Sequence, residues 1–498
     1  MKKKYYTLSL SIVLALALVA CNNNTSTSAS GDVKVTEEAG EITETMENTK
    51  DGEHVIEADG ELVSYSNVNV KKSGDSEGDE ADFYGENSAI FATNKATLSL
   101  SDITLATNGK HANGIFSYGE GTTVNVEDST IEITGNCSGG LMTTGGGTMN
   151  AKNLTIHTTG NSSAAIRSDR GGGTVTVSEG TYTTDGVGSP AIYSTANITV
   201  SDATLTSTKS EGVVVEGKNS VTLNNVSLTA NNTEHNSDKA DNYKAVMIYQ
   251  SMSGDADEGE ASFTMKDGSM TNENGDVFFV NNTSAVINLE NVAITNNGEG
   301  KLLRAAAAGW GTEGSNGGQV TLNAKNQSLS GDILVDDLSS LNMYLGEGSS
   351  YTGAINSEKE GGSVYVELKD GATWKLTGDS YITSLTCNAD AIDLNGHTLY
   401  VNGKAYKTGT ETTGKAVEKK KTTSSGSDGK PSGDDKKTPP EKPSGDDKKM
   451  PPEKPDGDGK GTPPEKPDGD GKGTPPEKTD HDSSKDSSDD GGNSSNVM

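Results

Sequence analysis

The sequence predicts an all-β protein, a right-handed parallel β-helix made of three-strand coils of about 25 residues each. The first observation is a repeat of two short segments in which apolar and small polar residues alternate, joined by one corner residue. Its copies begin at Thr97, Thr123, Thr148, Thr174, Asn197, Ser220, Ser262 and Val286. The second observation is a third apolar segment about eight residues before the regular copies. The third is the lack of a helical pattern between segments, which leaves parallel pairing of successive coils as the simplest arrangement.

The alternation predicts which side chains face the interior, because successive residues of a strand point to opposite faces. Thus Leu98 and Leu100 should point inward and Ser99 outward. Stacked coils then form an inward column of Leu105, Ile131, Ile156, Tyr182, Leu205, Leu228, Met270 and Ile294. The outward neighbours form a polar ladder of Thr104, Thr130, Thr155, Thr181, Thr204, Ser227 and Ser269.

The corner residue of each copy is polar and usually Asp or Asn. The series is Asp102, Asp128, Asn153, Glu179, Asp202, Asn225, Asp267 and Asn291. Asn and Asp tolerate a left-handed backbone and hydrogen-bond locally, so we interpret this column as turn chemistry. The alternative is a ladder of metal ligands.

The N-terminus predicts export and lipidation. Three lysines precede an apolar run over residues 8–20, too short to span a membrane and typical of a secretory signal. The run ends in Leu18-Val19-Ala20-Cys21, which resembles the lipobox of bacterial lipoproteins and implies a diacylglycerol on Cys21. We therefore expect a signal peptide at 1–20 and a location in the bacterial cell envelope, anchored to the membrane and exposed outside the cytoplasm. The alternative is an ordinary secreted protein.

Composition delimits the remaining segments. Residues 21–50 are mostly polar and should form a disordered, lipidated tether, followed by the β-helix domain at 51–410. Residues 411–498 hold 12 of the 13 prolines in Pro/Gly/Lys/Asp-rich repeats and should form a disordered tail. The formal net charge of −31 excludes a general affinity for nucleic acid.

The coil pattern of residues 55–406 resembles the pectin-lyase-like β-helix superfamily, and more narrowly the adhesin-like repeat proteins of bacterial surfaces. The motifs of polysaccharide hydrolases on this fold are nearly absent, with only Asp336-Asp337 and Asn395-Gly396-His397 near them. The best candidate for lyase chemistry is the segment Arg167-Ser168-Asp169-Arg170, whose alternative role is a local ion pair. We assign no catalytic residue.

Three insertions interrupt the regular coils, at residues 232–243, 251–260 and 305–318, and they predict a binding site because solenoids carry function on such loops. In residues 305–318 we expect Trp310 to stack on a sugar ring and Glu313 and Asn316 to hydrogen-bond it. Alternatively, Trp310 folds back over a coil edge. In residues 251–260 the carboxylates of Asp255, Asp257, Glu258 and Glu260 could gather around Ca²⁺, or form a solvated acidic loop. The insertions at 251–260 and 305–318 should emerge on the same side of the rod.

These features predict a monomeric rod, anchored by lipid, that binds a polysaccharide, a surface glycan or a protein of the host or a neighbouring cell without turnover. One alternative is a diverged β-helix polysaccharide lyase or hydrolase. Another is a purely structural envelope protein. Oligosaccharide release would favour the enzyme, and binding without release would favour the adhesin-like protein.

Overall fold

The computed structural model describes residues 44–251 and 253–422, which form a right-handed parallel β-helix, as predicted. These residues belong to one compact unit and contain a single short helix, α1 (Asp79–Phe83). The strands, in chain order, are β1 (Glu44–Asn48), β2 (Ile56–Asp59), β3 (Leu62–Ser66), β4 (Val68–Lys72), β5 (Ile90–Thr93), β6 (Thr97–Ser101), β7 (Thr104–Thr107), β8 (Ile115–Tyr118), β9 (Thr123–Glu127), β10 (Thr130–Ile133), β11 (Leu141–Thr144), β12 (Gly147–Thr158), β13 (Ile166–Ser168), β14 (Gly173–Thr184), β15 (Ile192–Ser194), β16 (Asn197–Ser201), β17 (Thr204–Ser207), β18 (Val213–Glu216), β19 (Ser220–Ala230), β20 (Lys244–Tyr249), β21 (Glu260–Asn272), β22 (Asp276–Asn281), β23 (Thr283–Glu290), β24 (Ala293–Asn296), β25 (Leu303–Ala305), β26 (Gly318–Lys325), β27 (Ser328–Ser330), β28 (Ile333–Val335), β29 (Ser340–Leu345), β30 (Ser350–Thr352), β31 (Ser363–Leu368), β32 (Thr373–Lys375), β33 (Ser380–Ile382), β34 (Ser384–Thr386), β35 (Ile392–Asp393), β36 (Leu399–Val401) and β37 (Lys404–Ala405).

Two large sheets form the faces of the solenoid. An 11-stranded sheet has the order β2-β5-β8-β11-β13-β15-β18-β20-β22-β25-β28, with parallel pairing throughout. A 19-stranded sheet supplies the other two faces, because strands such as β12 and β14 run through the corner between them. Small sheets of four and three strands complete the C-terminal coils. We call the corner where the chain leaves the 11-stranded sheet the exit corner, and the corner where it enters that sheet the entry corner.

The predicted register is confirmed. Ile131 pairs with Leu105 on one side and Ile156 on the other, and Thr130 pairs with Thr104 and Thr155. The inward column is buried in one continuous core along the rod, except that Ile294 is partly buried. The outward threonines are exposed, so the alternation of apolar and polar residues sorts the side chains as expected.

The corner residues perform turn chemistry, as predicted. All eight have a positive φ, between 50° for Asp128 and 62° for Glu179. Neighbouring coils are linked there by side chains: the amide of Asn153 donates to Asp128 at 2.6 Å, and that of Asn225 donates to Asp202 at 2.7 Å. An amide that donates to a carboxylate leaves little reason for a metal in this column, and the described residues contain no metal-binding group there or elsewhere.

Described residues on both sides of the predicted domain, 51–410, also belong to the fold. Strand β1 lies inside the segment predicted as a tether and pairs in parallel with β4. Residues 411–422, which we call the C-terminal strap, pack back along the rod: Thr412 exchanges backbone hydrogen bonds with Cys387, and Val417 exchanges two with the amide of Asn342. The strap bonds through backbone and polar groups, so it lacks the apolar periodicity that would have predicted it.

The predicted signal peptide, the lipidation site Cys21, most of the tether and the tail from residue 423 lie outside the described residues. Within the described part of the chain, no helix has the length and apolar character that crossing a membrane requires.

Candidate functional site

The outer face of the 11-stranded sheet carries an unusual column of side chains. Pairing aligns, from β5 to β22, Phe91, Phe116, Met142, Arg167, Tyr193, Val214, Met247 and Phe279. Outward apolar side chains need a cover, since exposing a contiguous apolar patch to water is unfavourable. The chain supplies covers over both ends of the column, and the polar Arg167 and Tyr193 lie between them.

The first cover, which we call the first arch, is residues 79–84 from the insertion between β4 and β5. It starts at the entry corner and reaches the exit corner, where the hydroxyl of Thr144 donates to the carbonyl of Phe83 at 2.6 Å. The guanidinium of Arg170 lies 3.8 Å above the Phe83 ring and pairs with Asp79 at 3.2 Å. This arch therefore crosses the whole width of the sheet.

The second cover, the second arch, joins two insertions: residues 235–240 from the entry corner and 308–310 from the exit corner. The backbone N–H of Gly309 donates to the carbonyl of Lys239 at 2.7 Å, which closes the arch. Ala240 and Ala308 pack on the outward cluster that contains Met247, and the ring of Trp310 meets that of Tyr249 edge to face at 5.2 Å. The sheet face is thus bridged a second time.

A pocket of two adjoining lobes, which share part of their walls, lies between the arches, and we call it the arch pocket. One lobe of about 750 Å³, counted with the space at its mouth, has walls that include Asp82, Phe83, Arg167, Asp169 and Asp255. The other, of about 570 Å³, has walls that include Glu211, His235, Lys244, Met247 and Trp310. The two lobes share Gly188, Pro190, Tyr193, Asn236 and Tyr249. The pocket therefore combines aromatic faces with charged and amide groups.

Ion pairs organise the first lobe. Arg167 donates to the carboxylate of Asp169 at 2.8 Å, and both side chains are largely buried. Burial raises the pKa of Asp169, although the charge of Arg167 opposes the shift. Arg170 donates to Asp255 from two of its nitrogens, at 2.9 and 3.0 Å. Arg167 in the lobe wall and Arg170 beside it are therefore each neutralised by a carboxylate.

Beneath the two tyrosines lies a buried carboxyl group. Glu216 is 1% exposed, and its Oε2 accepts hydrogen bonds from the phenols of Tyr193 and Tyr249, the latter at 3.0 Å. The side chain of Ser251 is a further hydrogen-bonding neighbour of this carboxyl group. Burial raises the pKa of Glu216, and it raises the pKa of each tyrosine well above the usual value. Glu216 therefore positions the two aromatic rings of the pocket wall.

The structure separates the three residues predicted to bind a ligand. Trp310 is partly buried and lines the arch pocket, so it both covers the sheet edge and faces the cavity. Glu313 is exposed on the far part of its loop and lines neither lobe. Asn316 is 4% exposed, and its amide donates to the carbonyls of Ala308 and Trp310. We therefore correct the role of Asn316: it fixes the loop from within and cannot reach a ligand.

The acidic insertion does not form a calcium site. Its carboxylates pair with separate cations: Asp255 with Arg170, Asp257 with Lys218, and Glu260 with Lys419. Glu258 lies in the same loop, but the described residues contain no cluster of three or more acidic, His or Cys side chains that could hold a metal ion. Ca²⁺ needs six or more oxygen ligands, so this arrangement does not fit it.

The predicted common side of the two insertions is confirmed. Residues 250–259 and 306–317 both leave from the exit corner, and Asn282 links them. Its side-chain amide donates to the carbonyl of Gln250, and its backbone N–H donates to the carbonyl of Asn316, each at 2.9 Å.

Sequence reasoning missed Tyr193, Glu216, Tyr249 and the first arch. A usable signal existed for the tyrosines, because Tyr193 occupies the outward position of its strand, where Phe and Met stand in the preceding coils. Large outward side chains on successive strands imply a cover. No comparable signal marks Glu216 or the arch.

No protein-family model, no curated protein and no solved structure matches this chain.

Proposed function

We propose that this chain is a lipid-anchored protein of the bacterial cell envelope that binds a glycan in the arch pocket. Aromatic faces suit the C–H faces of sugar rings, and Tyr193, Tyr249 and Trp310 supply three of them. The surrounding carboxylates and amides can accept hydrogen bonds from sugar hydroxyls. The anchor rests on the lipobox-like sequence that ends at Cys21.

Charge favours a neutral glycan. The walls of the two lobes hold the carboxylates of Asp82, Asp169, Asp255, Glu211 and Glu234 against the cations of Arg167 and Lys244. Arg167 is paired with Asp169, and Lys244 lies 3.8 Å from Glu211. The other three carboxylates also have partners: Asp82 contacts His111, Asp255 pairs with Arg170, and Glu234 pairs with Lys209. An anionic sugar would therefore have to displace a carboxylate from one of these cations, and the formal net charge of −31 also opposes its binding.

The observation that carries the proposal is the buried contact of Glu216 with the two phenols. Taking a carboxyl group out of water costs several kcal/mol, which its hydrogen bonds offset only in part. At this position of a coil with only a structural role we expect an apolar or small polar side chain. Asn281, which lies two strands further along the same column, is an example. The cost is understandable if it holds Tyr193 and Tyr249 in a fixed arrangement for a ligand.

The test is a glycan array with the full chain, followed by calorimetric titration of the best neutral oligosaccharide. Tyr249→Phe and Trp310→Ala should each weaken binding by about 5- to 30-fold, which corresponds to about 1 to 2 kcal/mol. The matched control is Tyr365→Phe, because the Tyr365 phenol also donates to a carboxylate, that of Glu367 at 2.7 Å, outside the pocket. An array without binders, or equal affinities for all three variants, would contradict the proposal.

A second candidate, hydrolysis of a glycosidic bond, is favoured by one observation. Asp169 and Asp255 line the same lobe, and such a reaction uses a pair of carboxyl groups. Burial raises the pKa of Asp169, which suits a group that donates a proton. If this candidate is right, incubation with bound oligosaccharides should release new reducing ends, and Asp169→Asn should abolish the release. Binding without release leaves the first proposal. Neither binding nor release would favour a structural envelope protein.

A further inference from the structure

We infer that the arch pocket receives the end of a glycan chain or a short free oligosaccharide, and excludes the interior of a long polysaccharide. The inference rests on the proposed function, because it concerns which part of a glycan can enter the same site. Its basis is that four separate insertions and turns enclose the pocket on all four sides, so the pocket opens only outward from the sheet.

Along the rod axis, the two arches block both directions. The first arch is fixed to the exit corner by the hydrogen bond from the Thr144 hydroxyl and by the ion pair of Arg170 with Asp79. The second is closed by the hydrogen bond from Gly309 to Lys239, a residue from the opposite corner. A polysaccharide lying along the stacked strands would collide with one arch or the other.

Across the rod, the exit corner is closed by residues 250–259. Asp255 of this insertion, which follows β20, pairs with Arg170. Arg170 follows β13, which lies three strands earlier in the sheet. Asp257 pairs at 2.8 Å with Lys218, which follows the intervening strand β18. Asp255 and Asp257 therefore hold this insertion along the exit corner between the arches.

The entry corner is closed by the first part of the second arch, which lies against a turn of an earlier coil. Asn236 lies directly on the turn at Gly188: a Cβ added to Gly188 would come within 2.3 Å of the Asn236 side chain. Gly188 also has a φ of +62°, so the turn combines a left-handed backbone with a close approach. Both residues line both lobes, which places this closure at the middle of the pocket.

The enclosed floor is short. Met142 under the first cover and Met247 under the second are separated by the three strands β13, β15 and β18. Four strand spacings amount to roughly 19 Å, part of which the arches occupy, and this leaves room for about three sugar rings at most. The walls also carry Asp82, Asn236 and Asp255, which can accept hydrogen bonds from the additional hydroxyl that only a terminal sugar presents.

The experiment measures binding of the full chain to cello-, manno- and xylo-oligosaccharides of one to six units, and competition by the corresponding polymers. Affinity should rise up to about three units and then stay constant within about twofold. Each polymer, compared before and after partial acid hydrolysis, should compete in proportion to its number of chain ends. The inference is wrong if intact and hydrolysed polymer compete equally per gram, or if affinity still rises at six units. Either result would leave glycan binding itself unaffected. If no member of these series binds, the same comparison is made with the best ligand from the glycan array, and an array without binders would contradict the proposed function itself.

A variant tests the wall directly. Arg170→Ala removes the partner of both Asp79 and Asp255, so it should open the exit corner and let intact polymer compete at least about tenfold better per gram. The matched control is Lys325→Ala, which breaks an ion pair with Glu290 at 3.4 Å in the 19-stranded sheet, outside both lobes, and should leave the preference for ends unchanged. An unchanged preference in Arg170→Ala, at an unaltered melting temperature, would refute the wall as the cause of the selectivity.

Discussion

Replacing Ile156 by Asp should cost the protein most of its stability. Ile156 is 1% exposed and lies in register between Ile131 and Tyr182, and its side chain fills the space beside Gly140. Losing the buried apolar side chain costs about 2 to 3 kcal/mol. Even a protonated carboxyl group without a hydrogen-bond partner adds about 2 to 4 kcal/mol. The sum, about 4 to 7 kcal/mol, approaches the whole stability of a typical domain.

The measurement is urea unfolding followed by the far-ultraviolet circular dichroism of the strands. The control is Thr155→Asp, since Thr155 is the outward neighbour, exposed and aligned with Thr130 and Thr181. An exposed substitution of this kind should change the free energy of unfolding by less than about 1 kcal/mol. Coils of a solenoid interact mainly with their neighbours, so in the Ile156 variant the coils near residue 156 should unfold at a lower urea concentration than distant coils. The unfolding curve should then show more than one transition. Equal destabilisation by the two substitutions would refute the assigned register.

Three further predictions concern other parts of the chain. Hydrogen bonding to Asp185 raises the pKa of His157 in the folded protein. The stability that this contact contributes should be complete below the unfolded pKa of about 6.5 and should disappear as the pH rises through the folded pKa. His157→Gln should remove this pH dependence of the unfolding midpoint. Ending the chain after Thr410 should lower the melting temperature, whereas ending it after Thr422 should not, because the C-terminal strap lies between these residues; equal melting temperatures would mean that the strap contributes nothing. Cys21→Ser should release the protein from the membrane fraction, and unchanged fractionation would show that the lipobox interpretation is wrong.

The sequence alone was sufficient for the solenoid, because each coil repeats the same local pattern. Period-two alternation specifies which side of a strand is buried, so Ile131 and Ile156 could be placed inward without any knowledge of their neighbours. The corner was equally predictable: a single Asn or Asp that tolerates a positive φ, such as Asp202 or Asn225, ends one strand and begins the next. Both features depend on residues close together in the chain.

The arch pocket was decided only by the tertiary structure, because its contacts join residues that no repeat relates. Arg170 pairs with Asp79, 91 residues earlier, and with Asp255, 85 residues later. The sequence of the insertion around Trp310 indicated an unusual loop, but not that Asn316 would turn inward to hold it or that Tyr249 would meet the Trp310 ring. Alternation of residue types fixes the position of a side chain on its coil, whereas the partner that covers it depends on the conformation of irregular loops, for which the sequence contains no periodic signal.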